Sequence, residues 1–276
     1  MRVYVFAELQ EALQYTFIQR ALLAGSFIAL NCSLLGVFLV LRRFSLIGDG
    51  LAHVAFGAIG LGLLLQAHPI YVAAPLVMLA SVGILALTEK AKIHGDAAIG
   101  LVSALGVATG VMLASIGRGF NVDLFSYLFG SILAISAGEV ILSVLLSVVM
   151  LVAVALFLHD LFAVTFEEEY AKVLGVKTRR VTYMLTLCTA LTVVLGIRVV
   201  GTMLVSSLII FPAATALQLA RGFKAALVIA ALAAVGSVVL GIFLSFLGNL
   251  PTGATIVYVN FVFFAMAFFS ARVSGR

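Results

Sequence analysis

The sequence predicts an all-α integral membrane protein with about nine transmembrane helices. Of its 276 residues, 64% are hydrophobic and only 10% are charged, and the mean hydropathy is +1.29. Soluble domains, in contrast, carry about 25% charged residues. Apolar runs such as LVIAALAAVGSVVLGIFLSFL (227–247) reach the roughly 20 residues that one spanning helix needs. These runs are continuous and lack the alternating polarity of a membrane β-strand.

The apolar runs divide the chain into spans that can be placed in order. The predicted spans are 21–41, 44–66, 69–88, 97–117, 133–158, 181–197, 199–220, 225–247 and 254–271. Residues 1–20 carry Glu8 and Glu11 where the apolar stretch of a signal peptide would lie. Residues 4–17 are amphipathic, so we expect 1–20 to be an N-terminal segment at the membrane interface, or equally a poorly ordered end, followed by a transmembrane domain over 21–276.

The lysines and arginines are distributed unequally between the two sides of this arrangement. Twelve of the sixteen fall on one side: Arg42, Arg43, Lys90, Lys92, Lys172, Lys177, Arg179, Arg180, Arg221, Lys224, Arg272 and Arg276. Cytoplasmic loops carry the excess of basic residues. The pattern therefore predicts an N-terminus outside the cell and a cytoplasmic C-terminus.

The net charge of +5 does not indicate a nucleic-acid partner, because the basic residues lie at the ends of spans, where membrane topology explains them. The composition indicates the lipid bilayer instead. Cys32 and Cys188 both lie within apolar runs. They are predicted to be small core residues and neither a disulfide nor metal ligands.

Two ionisable residues, Asp49 and His53, lie just inside the second span, in RRFSLIGDGLAHVAFG (42–57). Residues four apart share one face of an α-helix, so a carboxylate oxygen and an imidazole nitrogen could touch one cation. Such donors suit zinc, manganese or ferrous iron, and ionisable residues inside membranes usually face a pathway. The alternative is structural, with Asp49 a first-turn acid favoured by the helix dipole and His53 an incidental buried polar residue.

A charged segment, EEEYAKVLG (167–175), lies between the fifth and sixth predicted spans on the cytoplasmic side. Its residues favour a short helix that ends at a glycine. Such a helix is either a docking site for a partner protein or an ordinary solvated loop helix. The candidate docking residues are Glu167, Glu168, Glu169, Tyr170, Val173, Leu174 and Gly175.

The stretch VVGTMLVSSLIIFPAATA (199–216) combines small residues with a proline inside a span. Pro212 removes one backbone hydrogen bond and favours a kink. Gly201, Ser206 and Ser207 keep the helix surface small, so that neighbours can approach closely. These four residues are candidates for lining or gating a pathway, although tight packing explains them nearly as well.

The chain carries no motif for catalysis. It lacks the GxxxxGK[ST] phosphate loop of ATPases, and it has neither HExxH nor G-x-S-x-G. We therefore expect a protein that is not an enzyme and does not hydrolyse ATP. An intramembrane enzyme using Asp49 and His53 as acid and base would lack a nucleophile or second acid in a comparable position.

The chain resembles the membrane permease subunits of bacterial metal-ion ABC importers, the zinc, manganese and iron uptake group. The resemblance rests on four stretches in the family's order: LGVFLVLRRFSLIGDGLAH (35–53), DLFSYLFGSILA (123–134), EEEYAKVLGV (167–176) and VVGTMLVSSLIIFPAATA (199–216). Together they extend over most of the chain. One departure is Gly50, which stands where many members have Ala.

This resemblance implies a permease homodimer in the bacterial inner membrane, with two cytoplasmic ATPase subunits and an extracytoplasmic metal-binding protein. It implies that Asp49 and His53 contact the metal transiently, with no cofactor permanently bound. It also implies that 167–176 is the cytoplasmic coupling helix that docks on the ATPase. The resemblance favours zinc as the transported ion, then manganese or iron.

A carrier or channel for divalent metals that works without ATP is the alternative function. Genes for an ATPase and a metal-binding lipoprotein beside this one would favour the ABC importer. A lone gene would favour the carrier.

Overall fold

A computed structural model describes residues 13–117 and 135–273 of the chain. The helices are α1 (Thr16–Leu41), α2 (Ile47–Leu64), α3 (Pro69–Glu89), α4 (Gly95–Ile116), α5 (Ala137–Leu156), α6 (Leu158–Phe166), α7 (Glu168–Val173), α8 (Thr178–Val200), α9 (Thr202–Leu219), α10 (Phe223–Gly248) and α11 (Thr252–Val273). Within this described part, nine helices are long and apolar enough to cross a membrane, which confirms the predicted fold class. The two short ones, α6 and α7, follow the fifth span, where the sequence predicted a short helix.

Several helix boundaries differ from the sequence prediction by three residues or more. Helix α1 begins at Thr16, so the end of the predicted interfacial segment 1–20 belongs to the first helix. It continues through Arg20, whose guanidinium donates to the carbonyl of Ile135 at 3.4 Å. Helix α8 begins at Thr178, three residues early. Residues 1–12 of the predicted interfacial segment and the motif at 123–134 lie outside the described residues.

Helix α5 begins later than predicted because a reciprocal pair of side-chain bonds fixes its start. The Ser136 amide donates to the Glu139 carboxylate at 2.9 Å, and the Glu139 amide donates to the Ser136 hydroxyl at 3.2 Å. This capping box satisfies backbone donors that a helix start leaves without partners. The predicted start at 133 therefore moves to Ala137.

The chain divides into two compact units. Among the described residues, the first comprises 13–37, 135–149 and 196–273, and the second comprises 38–117 and 150–195. In the first unit, α9, α10 and α11 pack pairwise against one another. Gly241 of α10 lies against Ile256 of α11 with no room for a Cβ between them, as small residues permit where membrane helices cross.

In the second unit, α2 packs against both α3 and α4, and α3 also contacts α4. The short helices α6 and α7 contact each other in the same unit. Of the spanning segment of α2, 61% is buried, whereas the corresponding share for α4 is 17%. Helix α2 is therefore an inner helix of this unit, and it carries Asp49 and His53.

Candidate functional site

Asp49 and His53 lie on one face of α2, as the sequence predicted. Asp49 is in the first turn of the helix, and its Oδ2 is 3.6 Å from Nε2 of His53. The side chains are 52% and 41% exposed, whereas the intervening Gly50, Leu51 and Ala52 are buried. The two side chains are therefore half exposed at the surface of the single chain and are not part of its packed interior.

One chain supplies too few ligands for a complete metal site. Across 13–117 and 135–273, no three His, Cys, Asp or Glu residues lie close enough together to hold a metal ion. Asp49 offers one carboxylate and His53 one ring nitrogen, whereas divalent ions in proteins usually take four or more ligands. Water or a second molecule would have to supply the rest.

A seam of glycines holds α2 against α4 beside the pair. A Cβ on Gly106 of α4 would lie 2.6 Å from Cα of Val54 and 2.9 Å from the carbonyl carbon of His53. A Cβ on Gly57 would lie 2.5 Å from the carbonyl oxygen of Gly106. Real Cβ atoms do not approach so closely, so the backbones of α2 and α4 are in direct contact at His53. The seam fixes the height and rotation of α2, the helix that carries Asp49 and His53.

Gly50, the departure from the family pattern, is also a packing position. A Cβ there would lie 2.6 Å from Cγ2 of Ile99 in α4. Gly50 is buried and has helical neighbours on both sides. It lets Ile99 lie against α2 one residue after Asp49, which keeps the first turn of α2 close to α4.

The segment 167–175 forms the short helix that the sequence predicted. Helix α7 ends with Leu174 as its cap, and Gly175 adopts φ +83°. The Gly175 amide bonds to the carbonyl of Lys172, and the Val176 amide bonds to the carbonyl of Ala171, each at 3.0 Å. This is a Schellman motif, which requires the left-handed backbone that glycine adopts without strain.

Helix α7 leaves apolar side chains uncovered. Val173 is 84% exposed, and Tyr170 and Leu174 are each 60% exposed, whereas Ala171 is buried. Charged residues flank them: Lys172 lies 2.8 Å from Glu169 and 3.4 Å from Glu168. The hydrogen bond to Glu169 raises the pKa of Lys172. A small apolar patch with a charged rim is typical of a site that binds another protein.

The residues proposed to line or gate a pathway lie in the first unit, at the start of α9 and within it. Gly201 separates α8 from α9 with φ +88°, a conformation that favours glycine. Ser207 and Pro212 are buried and Ser206 is partly exposed. The Ser207 hydroxyl is among the buried oxygens of the described residues that lack a hydrogen-bond partner.

Sequence reasoning missed two residues beside the site. For Gly106 the sequence does carry a signal, because GVATG (106–110) has the small-xxx-small spacing of close helix contacts. Arg42 was counted only as a basic residue at a span end. Its side chain contacts Glu168 and Thr182, which are 126 or more positions away in the sequence, and no local pattern marks such contacts.

Comparison with known proteins gives matches over most of the chain. A profile of the ABC 3 transport family matches residues 14–271. The manganese transport system membrane protein MntC of Listeria monocytogenes is 29% identical over 267 residues, covering 97% of this chain and 95% of that protein. The high-affinity zinc uptake system membrane protein ZnuB of Haemophilus influenzae is 30% identical over 249 residues, covering 90% and 95%. Among solved structures, PsaBC from Streptococcus pneumoniae in complex with a Fab matches at a TM-score of 0.85 and 29% identity, covering 95% of each chain.

Proposed function

Because this chain belongs to the ABC 3 transport family, we propose that it is the membrane permease subunit of an ATP-driven importer of divalent transition-metal ions. The observation that best supports this proposal is the Asp49–His53 pair. It places an oxygen and a nitrogen donor 3.6 Å apart on a membrane helix, with both side chains half exposed. Relatives named for manganese and zinc transport support the same class of ion.

The donor set favours the ion class without choosing between its members. Carboxylate and imidazole bind both manganese and zinc, and the absence of a thiolate argues against copper(I). The two metals are each named in relatives of nearly equal identity, 29% and 30%. We propose zinc first and manganese second, with iron after them, and we assign the choice to an extracytoplasmic metal-binding protein that delivers the ion.

The energy for import would come from a partner subunit. The chain has no phosphate-binding loop of its own, so ATP hydrolysis belongs to a cytoplasmic ATPase. The uncovered Tyr170, Val173 and Leu174 of α7 supply the apolar contact, and Glu167, Glu168 and Glu169 supply the charged rim. Aromatic and aliphatic anchors usually carry most of the docking energy, and rim charges carry less.

Two copies of the chain would complete the pathway. One copy gives two ligands, and a two-fold axis doubles them to the four that a divalent ion takes. A transport site must also release its ion, so we expect weak coordination completed by water. The exposed placement of Asp49 and His53 suits a site at such an axis.

The membrane orientation follows from charge. Twelve of the sixteen basic residues, together with α7, fall on one side, which we assign to the cytoplasm. The C-terminus is then cytoplasmic, the N-terminus is outside, and the protein is a multi-pass component of the bacterial inner membrane.

Reconstitution tests this function directly. The permease and its ATPase are placed in proteoliposomes with the metal-binding protein, and uptake of radioactive zinc and manganese is measured with ATP and with a non-hydrolysable analogue. We expect uptake only with ATP. Equal uptake with the analogue would indicate a carrier or channel, and no uptake of either metal would refute the metal assignment.

A further inference from the structure

Arg42 connects two parts of the second unit that are far apart in sequence. It is the first residue after α1, and its side chain is only 12% exposed. One terminal nitrogen, Nη2, lies 3.7 Å from Oε2 of Glu168 in α7, and the other, Nη1, donates to Oγ1 of Thr182 in α8 at 3.0 Å. A single guanidinium thus joins the turn before α2 to the docking helix.

This contact is costly to break. Burial lowers the pKa of Arg42, and the nearby Glu168 carboxylate raises it again. The pair is half-buried, with the Arg42 side chain 12% exposed and the Glu168 side chain 45% exposed, so losing Glu168 leaves a mostly buried guanidinium without its carboxylate, which costs more than losing a fully exposed pair. When α7 moves, the turn that carries Arg42 therefore moves with it or the pair breaks.

Backbone hydrogen bonds hold the turn between α1 and α2 in one shape, so the turn can transmit such a movement. The Phe44 amide bonds to the carbonyl of Leu39 at 2.8 Å, and the Arg43 amide bonds to the carbonyl of Val40 at 3.1 Å. Arg43 adopts φ +60°, the left-handed backbone of a Schellman ending. Helix α2 starts three residues after Phe44, and Asp49 is in its first turn.

The same turn also rests on α4. The ring of Phe44 lies 3.2 Å from the position of a Cβ on Gly95, the first residue of α4. Because α2 and α4 are in backbone contact at Gly106, a shift of the turn reaches both helices of the glycine seam together. From the turn to α4 the contact is between a ring and a glycine, and from α4 to α2 it is between backbones. Side-chain movement can therefore absorb little of a shift along these contacts.

We propose that Arg42 is a positioning residue that couples the docking helix α7 to the metal-binding helix α2, so that movement of the ATPase changes the placement of Asp49 and His53. This inference rests on the proposed function, because it requires an ATPase on α7 and a metal at α2. Arg42 touches neither the ion nor the ATPase. It acts through Glu168 on one side and through the 42–46 turn on the other.

The test compares ATP hydrolysis and metal uptake in the same proteoliposomes, made with the full complex. In Arg42→Gln we expect the ATPase to co-purify and hydrolysis to continue, while metal carried per ATP falls by about tenfold, within the roughly 5- to 150-fold span of typical coupling between sites. Arg42→Lys should lie between, because lysine keeps the charge but cannot hold Glu168 and Thr182 with one planar fork. Arg43→Gln, an exposed arginine in the same turn, is the matched control and should keep the wild-type ratio.

A charge exchange separates coupling from simple damage to the fold. Arg42→Glu alone places two carboxylates together and should uncouple the complex. Arg42→Glu combined with Glu168→Arg restores the pair and should recover part of the metal uptake per ATP. The Thr182 hydroxyl can donate to the exchanged carboxylate. Failure of the exchange to recover any uptake per ATP, in a complex that still retains its ATPase, would overturn the proposal.

Three further results have distinct meanings. If wild type imports metal and Arg42→Gln carries the same amount per ATP, the coupling role is wrong while the proposed function stands. If Arg42→Gln loses the ATPase on purification, Arg42 supports docking alone and the coupling role is again wrong. If wild type imports no divalent metal, the proposed function itself fails.

Discussion

At the level of single residues, the proposed function depends most on Asp49 and His53. Asp49→Asn keeps the size of the side chain and removes its negative charge, and His53→Ala removes the ring nitrogen. Mutating residues that only orient metal ligands costs about 10–100-fold in metal affinity or activity, so losing either donor should lower uptake at least as much. Metal-dependent growth and metal uptake by cells expressing each variant measure this.

The control for that prediction is His159→Ala. His159 is an exposed histidine on α6 and lies outside the proposed pathway. It should leave growth and uptake at wild-type levels, and all three variants should reach the membrane in equal amounts. Normal uptake by both Asp49→Asn and His53→Ala would show that this pair does not bind the transported ion.

The glycine seam gives a second prediction at the level of single residues. In Gly106→Ala, the added methyl meets the backbone of Val54 at about the 2.6 Å separation that the geometry gives, so α2 and α4 must move apart. Overpacking of this kind typically costs about 1–3 kcal/mol. The thermal unfolding midpoint of the detergent-purified permease should fall, and metal uptake should fall with it.

Gly100 provides a control on the same helix. A Cβ at Gly100 has no neighbour within 4 Å, so Gly100→Ala should be neutral or gain up to about 1 kcal/mol from helix propensity. An equal effect of the two substitutions would show that the contact between α2 and α4 is looser than the structure has it.

Among the elements, α7 depends on the glycine that ends it. Gly175→Ala forces a Cβ into φ +83°, at a cost of about 1–2 kcal/mol, a factor of about 5–30 in an equilibrium constant. Amide hydrogen exchange at Val176, whose N–H closes the Schellman motif, should accelerate by a similar factor. Gly222→Ala is the control, because Gly222 has φ −176° and open space around it; comparable acceleration near both sites would count against the motif.

The apolar patch of α7 is expected to lie against the ATPase. A single cysteine at Val173 should form crosslinks to the ATPase in native membranes, because that side chain is 84% exposed. The two native cysteines, Cys32 and Cys188, are buried and should stay silent. A cysteine at Lys92, in the α3–α4 connection, serves for comparison. Consistent crosslinks from position 92, with none from 173, would move the docking site to that connection.

At the scale of the whole molecule, hydropathy was enough to predict the helices but not how they meet. Nine spans and the short helix before α8 followed from apolar runs and from Gly175. The start of α5 was missed because it depends on the capping box of Ser136 and Glu139 and not on hydropathy. The family followed from four sequence stretches, and the match over 14–271 confirms it.

The site was predictable to the extent that it is local. Asp49 and His53 share a face because they are four residues apart, and the sequence states that spacing directly. The contacts of Arg42 with Glu168 and Thr182, and of Gly106 with His53, depend on which helices pack together. Helix packing is a property of the folded chain, so those residues emerged only from the structure.

The central claim is that two copies of this chain bind a divalent metal between their Asp49–His53 pairs, and a structure of the assembled transporter with bound manganese or zinc tests it most directly. The account predicts metal density near a two-fold axis, contacted by Asp49 and His53 of both copies and by water. Metal bound elsewhere, or two pairs that face lipid or open into separate cavities, would contradict it.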